Sequence, residues 1–154
     1  MKPLDFQLQA WQSYVDGYDV LINAPTGTGK TFAAGGAVAA DFLSSNPLEK
    51  GVKLIWITPV RALAAEIQES LSALFEGVGL DLDVAVRTGD TSQKERARQK
   101  RKNPDVLITT PESLHLIMAS KGADVFFKKM RCVVCDEWHE LTGSKRGVSM
   151  ELAL

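Results

Sequence analysis

Asn23-Ala-Pro-Thr-Gly-Thr-Gly-Lys-Thr31 is the stretch that decides the fold. The apolar run Val20-Leu21-Ile22 leads into it, and a helical pattern of small residues follows. Strand, glycine loop and helix, in that order, make a phosphate-binding loop. Consecutive backbone N–H groups and a helix N-terminus converge there on anionic oxygens, and glycine lets the chain come close. On this reading Ala24, Pro25, Thr26, Gly27, Thr28 and Gly29 wrap the phosphates of a nucleotide. Lys30 reaches the β- and γ-phosphates, and Thr31 holds Mg2+. The pattern ordinarily begins with glycine, and this chain has Ala24 at that place. The competing reading is a glycine-rich turn with a chance Gly-Lys-Thr.

Around the loop, periodicity predicts alternating elements. Leu4, Leu8, Trp11 and Val15 fall on one stripe of a helix over 4–16. Gly17 ends it, and residues 19–22 form the first strand. The helix after the loop covers 30–43. Its Gly35-Gly36 pair weakens helix propensity, which close packing on the sheet would explain. Residues 44–47 stop it. The run 53–58 is almost wholly apolar, as a buried parallel strand requires. An amphipathic helix follows from Val60 to about residue 76. Strand 82–87 precedes a polar helix over 91–102, capped by Asp90 or Thr91. Strand 105–109 leads to a short helix capped by Thr110, with Pro111 at its first position, ending at Gly122. The last strand is 130–135, and a further helix starts near Gly147.

Strands alternating with helices imply an α/β domain with a mainly parallel sheet flanked by helices. Functional groups then belong at the carboxyl ends of the strands. A second acidic centre lies at such an end, in Val133-Val-Cys-Asp-Glu137. In phosphate-loop nucleoside triphosphatases an aspartate at this place helps hold Mg2+, and a neighbour positions the attacking water. Asp136 is the candidate metal residue and Glu137 the candidate general base. Lys30 and Asp136 are then expected to meet around one magnesium-bound triphosphate.

The chain has 154 residues, 45% hydrophobic and 24% charged, with net charge −1. That is ordinary for one globular domain. No global basic bias advertises a nucleic-acid partner, so any such binding comes from local patches. No apolar run is long enough to span a bilayer, and the N-terminus lacks the apolar core of a signal peptide. We expect a cytoplasmic protein. Cys132 and Cys135 have the spacing of a metal or redox pair. They sit on a predicted buried strand, where residues three apart face opposite ways, so inert core cysteines are favoured.

Ala-Pro-Thr-Gly-Thr-Gly-Lys-Thr together with Asp136-Glu-Trp-His139 resembles motifs I and II of a superfamily 2 helicase of the DExH type. Gln7, 17 positions before Ala24, stands where that family reads adenine. A side-chain amide offers a donor and an acceptor to the base edge. The aromatic residue upstream of that glutamine is absent. Thr58-Pro-Val-Arg61-Ala-Leu-Ala64 is similar to motif Ia, Arg87-Thr-Gly-Asp-Thr91 to the glycine turn between Ia and Ib, and Thr109-Thr-Pro-Glu-Ser-Leu114 to motif Ib. The tail from Asp136 to Gly147 looks like the large helicase-related proteins, in particular bacterial ligase-associated DExH-box helicases of DNA repair.

The resemblance implies a RecA-like first motor domain over 1–154 that uses ATP and Mg2+, with Glu137, Lys30 and His139 as catalytic residues. It also implies that the chain is the N-terminal part of a longer helicase. Motif III, on a strand between the phosphate-loop strand and the Asp136 strand, and a second motor domain are expected beyond it. Pro59, Arg61, Gly89, Asp90, Thr110 and Pro111 would line a single-strand track, gripping phosphates without reading sequence. For Arg61 the alternative is a solvated helix-face arginine. The run 94–102 carries six basic residues and one acid. It is either a solvated face or a contact to duplex or tail. Lys145 and Arg146 lean towards a nucleic-acid contact. The expected partner is single-stranded or partly duplex nucleic acid, DNA before RNA, with a DNA ligase or nuclease of the same pathway. The competing functions are a DExH-type RNA helicase, a nucleotide-dependent binding module without turnover, and a small-molecule kinase.

Overall fold

The computed structural model describes residues 2–25, 27–45 and 49–138. Its elements are α1 (Asp5–Val15), α2 (Lys30–Ser44), β1 (Leu54–Ile57), α3 (Leu63–Gly77), β2 (Val84–Arg87), α4 (Gln93–Arg101), β3 (Val106–Thr109), α5 (Pro111–Met118), α6 (Ala123–Phe127) and β4 (Cys132–Cys135). The chain divides into two compact units, residues 1–48 with 69–82, and residues 49–68 with 83–154. Helix α3 contributes its first residues to the second unit and the rest to the first.

In the first unit the helices pack through absent side chains. A Cβ on Gly36 would lie 2.6 Å from the Trp11 ring, and one on Gly35 would lie 2.7 Å from Leu71. The two glycines therefore admit α1 on one side of α2 and the second part of α3 on another. This close approach accounts for a glycine pair inside a helix despite its cost in helix propensity. The Trp11 indole donates to the Ala33 carbonyl at 2.8 Å, and Phe42 stacks on Phe75 at 6.4 Å. Trp11 thus selects which face of α1 is covered. Gln7 and Ala10 are buried, whereas Leu4, Leu8 and Val15 of the predicted stripe are about half exposed.

The second unit holds a four-stranded parallel sheet in the order β2-β3-β1-β4. Leu54 aligns with Val106 on one side and with Cys132 on the other. The inner strands β1 and β3 are buried at every residue. Strand β4 ends the order and is only half-buried, in contrast to the buried strand expected at 130–135. One sheet face, through Ile55, Ile57, Leu107, Val133 and Cys135, packs with Leu114 and Ile117 of α5 and Phe126 and Phe127 of α6. Burying each such side chain contributes about 1.5–3 kcal/mol. Helix α6 was not expected from sequence.

Residues 19–22 are not a strand: Val20 and Leu21 are exposed, Leu21 at 85%. A strand needs a neighbour to take its N–H and C=O groups. None of the four described strands pairs with residues 19–22. Helix α3 begins at Leu63 rather than Val60, because Leu63 and Ala64 donate to the carbonyls three residues back in a tight turn. Helix α4 is capped by Ser92, which accepts the Glu95 N–H at 3.2 Å. Thr91, one of the two expected caps, instead accepts the Thr88 N–H at 2.9 Å. The helix expected near Gly147 lies outside the described residues.

Candidate nucleotide and nucleic-acid sites

The candidate residues fall in both units. In the first, Gly27 and Gly29 have left-handed backbones, φ 78° and 85°, which glycine adopts without strain. Gly29 is the N-cap of α2, so Lys30 and Thr31 open the helix. The Thr28 hydroxyl donates to the Pro25 carbonyl at 2.6 Å and closes the turn. Ala24 precedes it, half-buried, and Thr26 lies outside the described residues. The free N–H groups and positive dipole end of a 15-residue helix therefore follow the glycine loop directly.

Gln7 is 5% exposed and reaches this loop. Its Nε2 donates to the Gly29 carbonyl at 3.3 Å, and its Oε1 accepts the Leu4 N–H at 2.9 Å. The amide has four hydrogen-bonding valences. Two are spent on the chain, leaving one donor and one acceptor.

In the second unit Asp136 follows β4, and its N–H donates to the Ile57 carbonyl at 2.8 Å. Its Oδ1 accepts the Glu137 N–H at 2.9 Å. Glu137 has φ 48° and is the one non-glycine residue with positive φ among those described. Such a backbone costs about 1–3 kcal/mol and gathers at functional sites. Trp138 is 42% exposed. His139, Lys145 and Arg146 lie outside the described residues.

The oxygens of Thr31 and Asp136 are hard donors suited to Mg2+. Among the described residues no group of three or more His, Cys, Asp or Glu forms a cage. Mg2+ ordinarily takes one or two protein carboxylates plus substrate phosphates, and the Thr31 hydroxyl and the Asp136 carboxylate are each hard oxygen donors of the kind it takes.

Arg61 lies in the turn before α3, not on the helix face. Its guanidinium pairs with Asp90 at 3.3 Å and covers Gly89, where a Cβ would sit 2.8 Å away. Both ionic side chains are more than half exposed, so the pair adds at most about 1 kcal/mol. The structure thus joins three of the predicted track residues. The other three are turned inward. Pro59, Thr110 and Pro111 are buried, and the Thr110 hydroxyl caps α5 by accepting the Ser113 N–H.

Of the six cations in the basic run, Arg98 is spent on Glu95 and Asp83, and Arg96 on the loop before α4. The Arg98 hydrogen bonds hold the Glu95 carboxyl below its usual range. Burial, and then the neighbouring Arg96 charge, lower the Arg87 guanidinium. The intramolecular role of Arg96 was hidden in the sequence inside a run of like charges. Cys132 and Cys135 are not disulfide-bonded. Burial, then the Cys132 sulfur, push Cys135 up to about 11, which keeps it a neutral, inert thiol.

A parallel sheet with a glycine loop at a helix N-terminus and an Asp-Glu pair after a strand defines a RecA-like phosphate-loop domain. The DEAD/DEAH box helicase family matches residues 4–154, and the chain belongs to that family. It is similar to the Lhr helicase/uracil glycosylase of Escherichia coli K12, 34% identical over 99% of this chain and 11% of the relative. It is also similar to the ATP-dependent helicase Lhr-Core of Methanothermobacter thermautotrophicus, 39% identical over 90% of this chain and 17% of the relative. Among solved structures, Mycobacterium smegmatis helicase Lhr bound to ssDNA and AMP-PNP superimposes with TM-score 0.81 at 33% identity, over 99% of this chain and 20% of that one. The chain therefore spans a tenth to a fifth of the length of these relatives. No helix among the described residues is long and apolar enough to cross a membrane.

Proposed function

We propose that residues 1–154 form the ATP-binding first motor domain of an ATP-dependent DNA helicase or translocase acting in DNA repair. The observation that carries this is the left-handed Gly27 and Gly29 turn that hands Lys30 and Thr31 to the first turn of α2. Backbone N–H groups of that turn bind phosphate, and Lys30 neutralises charge developing on the γ-phosphate. Thr31 and Asp136 are the proposed Mg2+ ligands. Mg2+ held there would neutralise charge on the phosphates. Glu137 orients water and takes its proton, with Asp136 fixing the Glu137 N–H. His139 assists, and Gln7 recognises adenine with its two remaining valences.

DNA is favoured as the partner because the Lhr structure at 33% identity holds ssDNA. Arg61, Gly89 and Asp90 are the contact best supported by geometry, with Pro59, Thr110 and Pro111 shaping the backbone around it. Lys145 and Arg146 are further candidates. A DNA ligase or nuclease as partner rests on the tail after Asp136. Cys132 and Cys135, not disulfide-bonded, suit the proposed reducing, cytoplasmic location. A second reading, RNA, is favoured by one relative: ATP-dependent RNA helicase DBP3 of Candida glabrata, 36% identical over 80% of this chain and 22% of the relative.

The test uses the natural-length protein carrying this chain. Lys30→Ala is expected to abolish ATP hydrolysis. Glu137→Gln is expected to bind ATP and turn it over at least about 100-fold more slowly. Unchanged turnover in Glu137→Gln removes Glu137 as the base. Stimulation of hydrolysis by matched DNA and RNA strands decides between the two partners.

A further inference from the structure

The turn 88–91 between β2 and α4 is held from both sides. Inside it, Thr91 Oγ1 accepts the Thr88 N–H at 2.9 Å, and Thr88 Oγ1 accepts the Asp90 N–H at 3.3 Å. From α4, Arg96 reaches back across it. Its Nε donates to the Thr91 carbonyl at 2.9 Å, and its Nη2 donates to the carbonyls of Thr88 at 3.0 Å and Gly89 at 3.2 Å. One guanidinium therefore satisfies three carbonyls of a four-residue turn. A flat fork of fixed N–H directions can do this, and a single ammonium on a flexible stem cannot do it as well.

The turn so held carries the two residues that face Arg61. Gly89 offers a bare backbone against which the Arg61 guanidinium lies, and Asp90 pairs with it. If the turn moved by an ångström, Arg61 would lose both its floor and its counter-ion. A free arginine beside a nucleic-acid track would be read as a phosphate contact. Arg96 is half-buried, and its donors go to the protein's own backbone.

We propose that Arg96 is a positioning residue for nucleic-acid binding, which fixes the 88–91 turn so that Gly89 and Asp90 set the Arg61 guanidinium. This rests on the reading of Arg61, Gly89 and Asp90 as a nucleic-acid contact. The role differs from that of a basic residue neutralising phosphate, and the two differ in salt dependence. Losing the Arg61 contact lowers the slope of log affinity against log salt by about 1, and a residue that acts only through Arg61 lowers it no further, whereas a second phosphate contact would lower it by about 1 more.

The experiment measures binding of a fluorescein-labelled oligothymidylate by anisotropy across a salt series, in the natural-length protein, beside binding of a fluorescent ATP analogue. Arg96→Ala is expected to weaken oligothymidylate binding about tenfold, with a salt slope no lower than that of Arg61→Ala and with nucleotide binding unchanged. Arg96→Lys keeps the charge, loses the fork, and is expected to weaken it about threefold. If Arg96→Ala does not fold, Arg96→Lys decides alone. The double variant with Arg61→Ala is expected to bind within about twofold of Arg61→Ala, because both act through one contact. A double variant whose slope is lower than that of Arg61→Ala by about 1, full affinity in Arg96→Lys, or parallel loss of nucleotide binding each overturns the proposal. Should Arg61→Ala itself leave binding unchanged, the nucleic-acid reading of this surface fails. Should Arg61→Ala weaken binding while the Arg96 variants do not, only the positioning role falls.

Discussion

Gln7 of α1 and Gly29 at the start of α2, 22 residues apart, are joined by a hydrogen bond from the glutamine Nε2 to the glycine carbonyl at 3.3 Å. The same Nε2 stands 2.8 Å from where a Gly29 Cβ would lie. The glutamine proposed to meet the base therefore also touches the loop proposed to hold the phosphates.

Gly29→Ala is expected to lose on two counts. Its backbone at φ 85° strains any L side chain by about 1–2 kcal/mol, and the new methyl displaces Gln7. ATP affinity should fall about tenfold or more, read with a fluorescent analogue. Gln7→Ala should lose ATP-over-GTP preference while keeping the loop. Equal affinity for both nucleotides in the unmutated protein would refute the base-reading role.

Glu137→Gly separates strain from chemistry. Glycine relieves the φ 48° backbone, so urea unfolding should show a gain of about 0.5–1 kcal/mol. ATP hydrolysis should be lost in the same variant. A loss of stability instead would mean that the Glu137 side chain outweighs its backbone strain.

Lys53 and Asp105 form an ion pair at 2.5 Å, with Lys53 only 3% exposed. Lys53 also donates to Gly51, and Asp105 accepts the Asp83 N–H at 2.9 Å. Asp105→Ala strands a buried ammonium and should cost about 3–5 kcal/mol. Lys53→Met leaves Asp105 with its backbone partner and some solvent, so it should cost clearly less. Denaturant midpoints of the two variants check the order.

Alkaline pH should weaken the fold through Cys135. Its folded value of about 11 lies above the ordinary 9.0, so the unfolded thiol ionises first. This contribution is complete below pH 9 and is lost as pH rises towards 11. Cys135→Ser should flatten stability over that window. At pH 8, Cys135 should react with a thiol reagent much more slowly than in the unfolded chain.

Local sequence determined a great deal here. Glycines at 27 and 29 dictate a left-handed loop, Pro111 after Thr110 dictates a helix start, and apolar runs dictate β1 and β3, because each depends on backbone sterics or on burial at one periodicity. The glycine turn before α2 was legible for the same reason, and so was the place of Asp136 and Glu137 after β4. Choices that depend on a partner far along the chain were decided only by tertiary structure. Trp11 over Gly36 turned the Gln7 and Ala10 side of α1 inward and left Leu4, Leu8 and Val15, its neighbours on the apolar stripe, about half exposed. Residues 19–22, apolar enough for a strand, stay out of the sheet because a ladder needs a neighbour's N–H and C=O groups. Arg96 and Arg61 look alike as charges in the sequence. Folding turns one inward onto three carbonyls and leaves the other over a bare glycine, since hydrogen bonds are directional and a charge count is not.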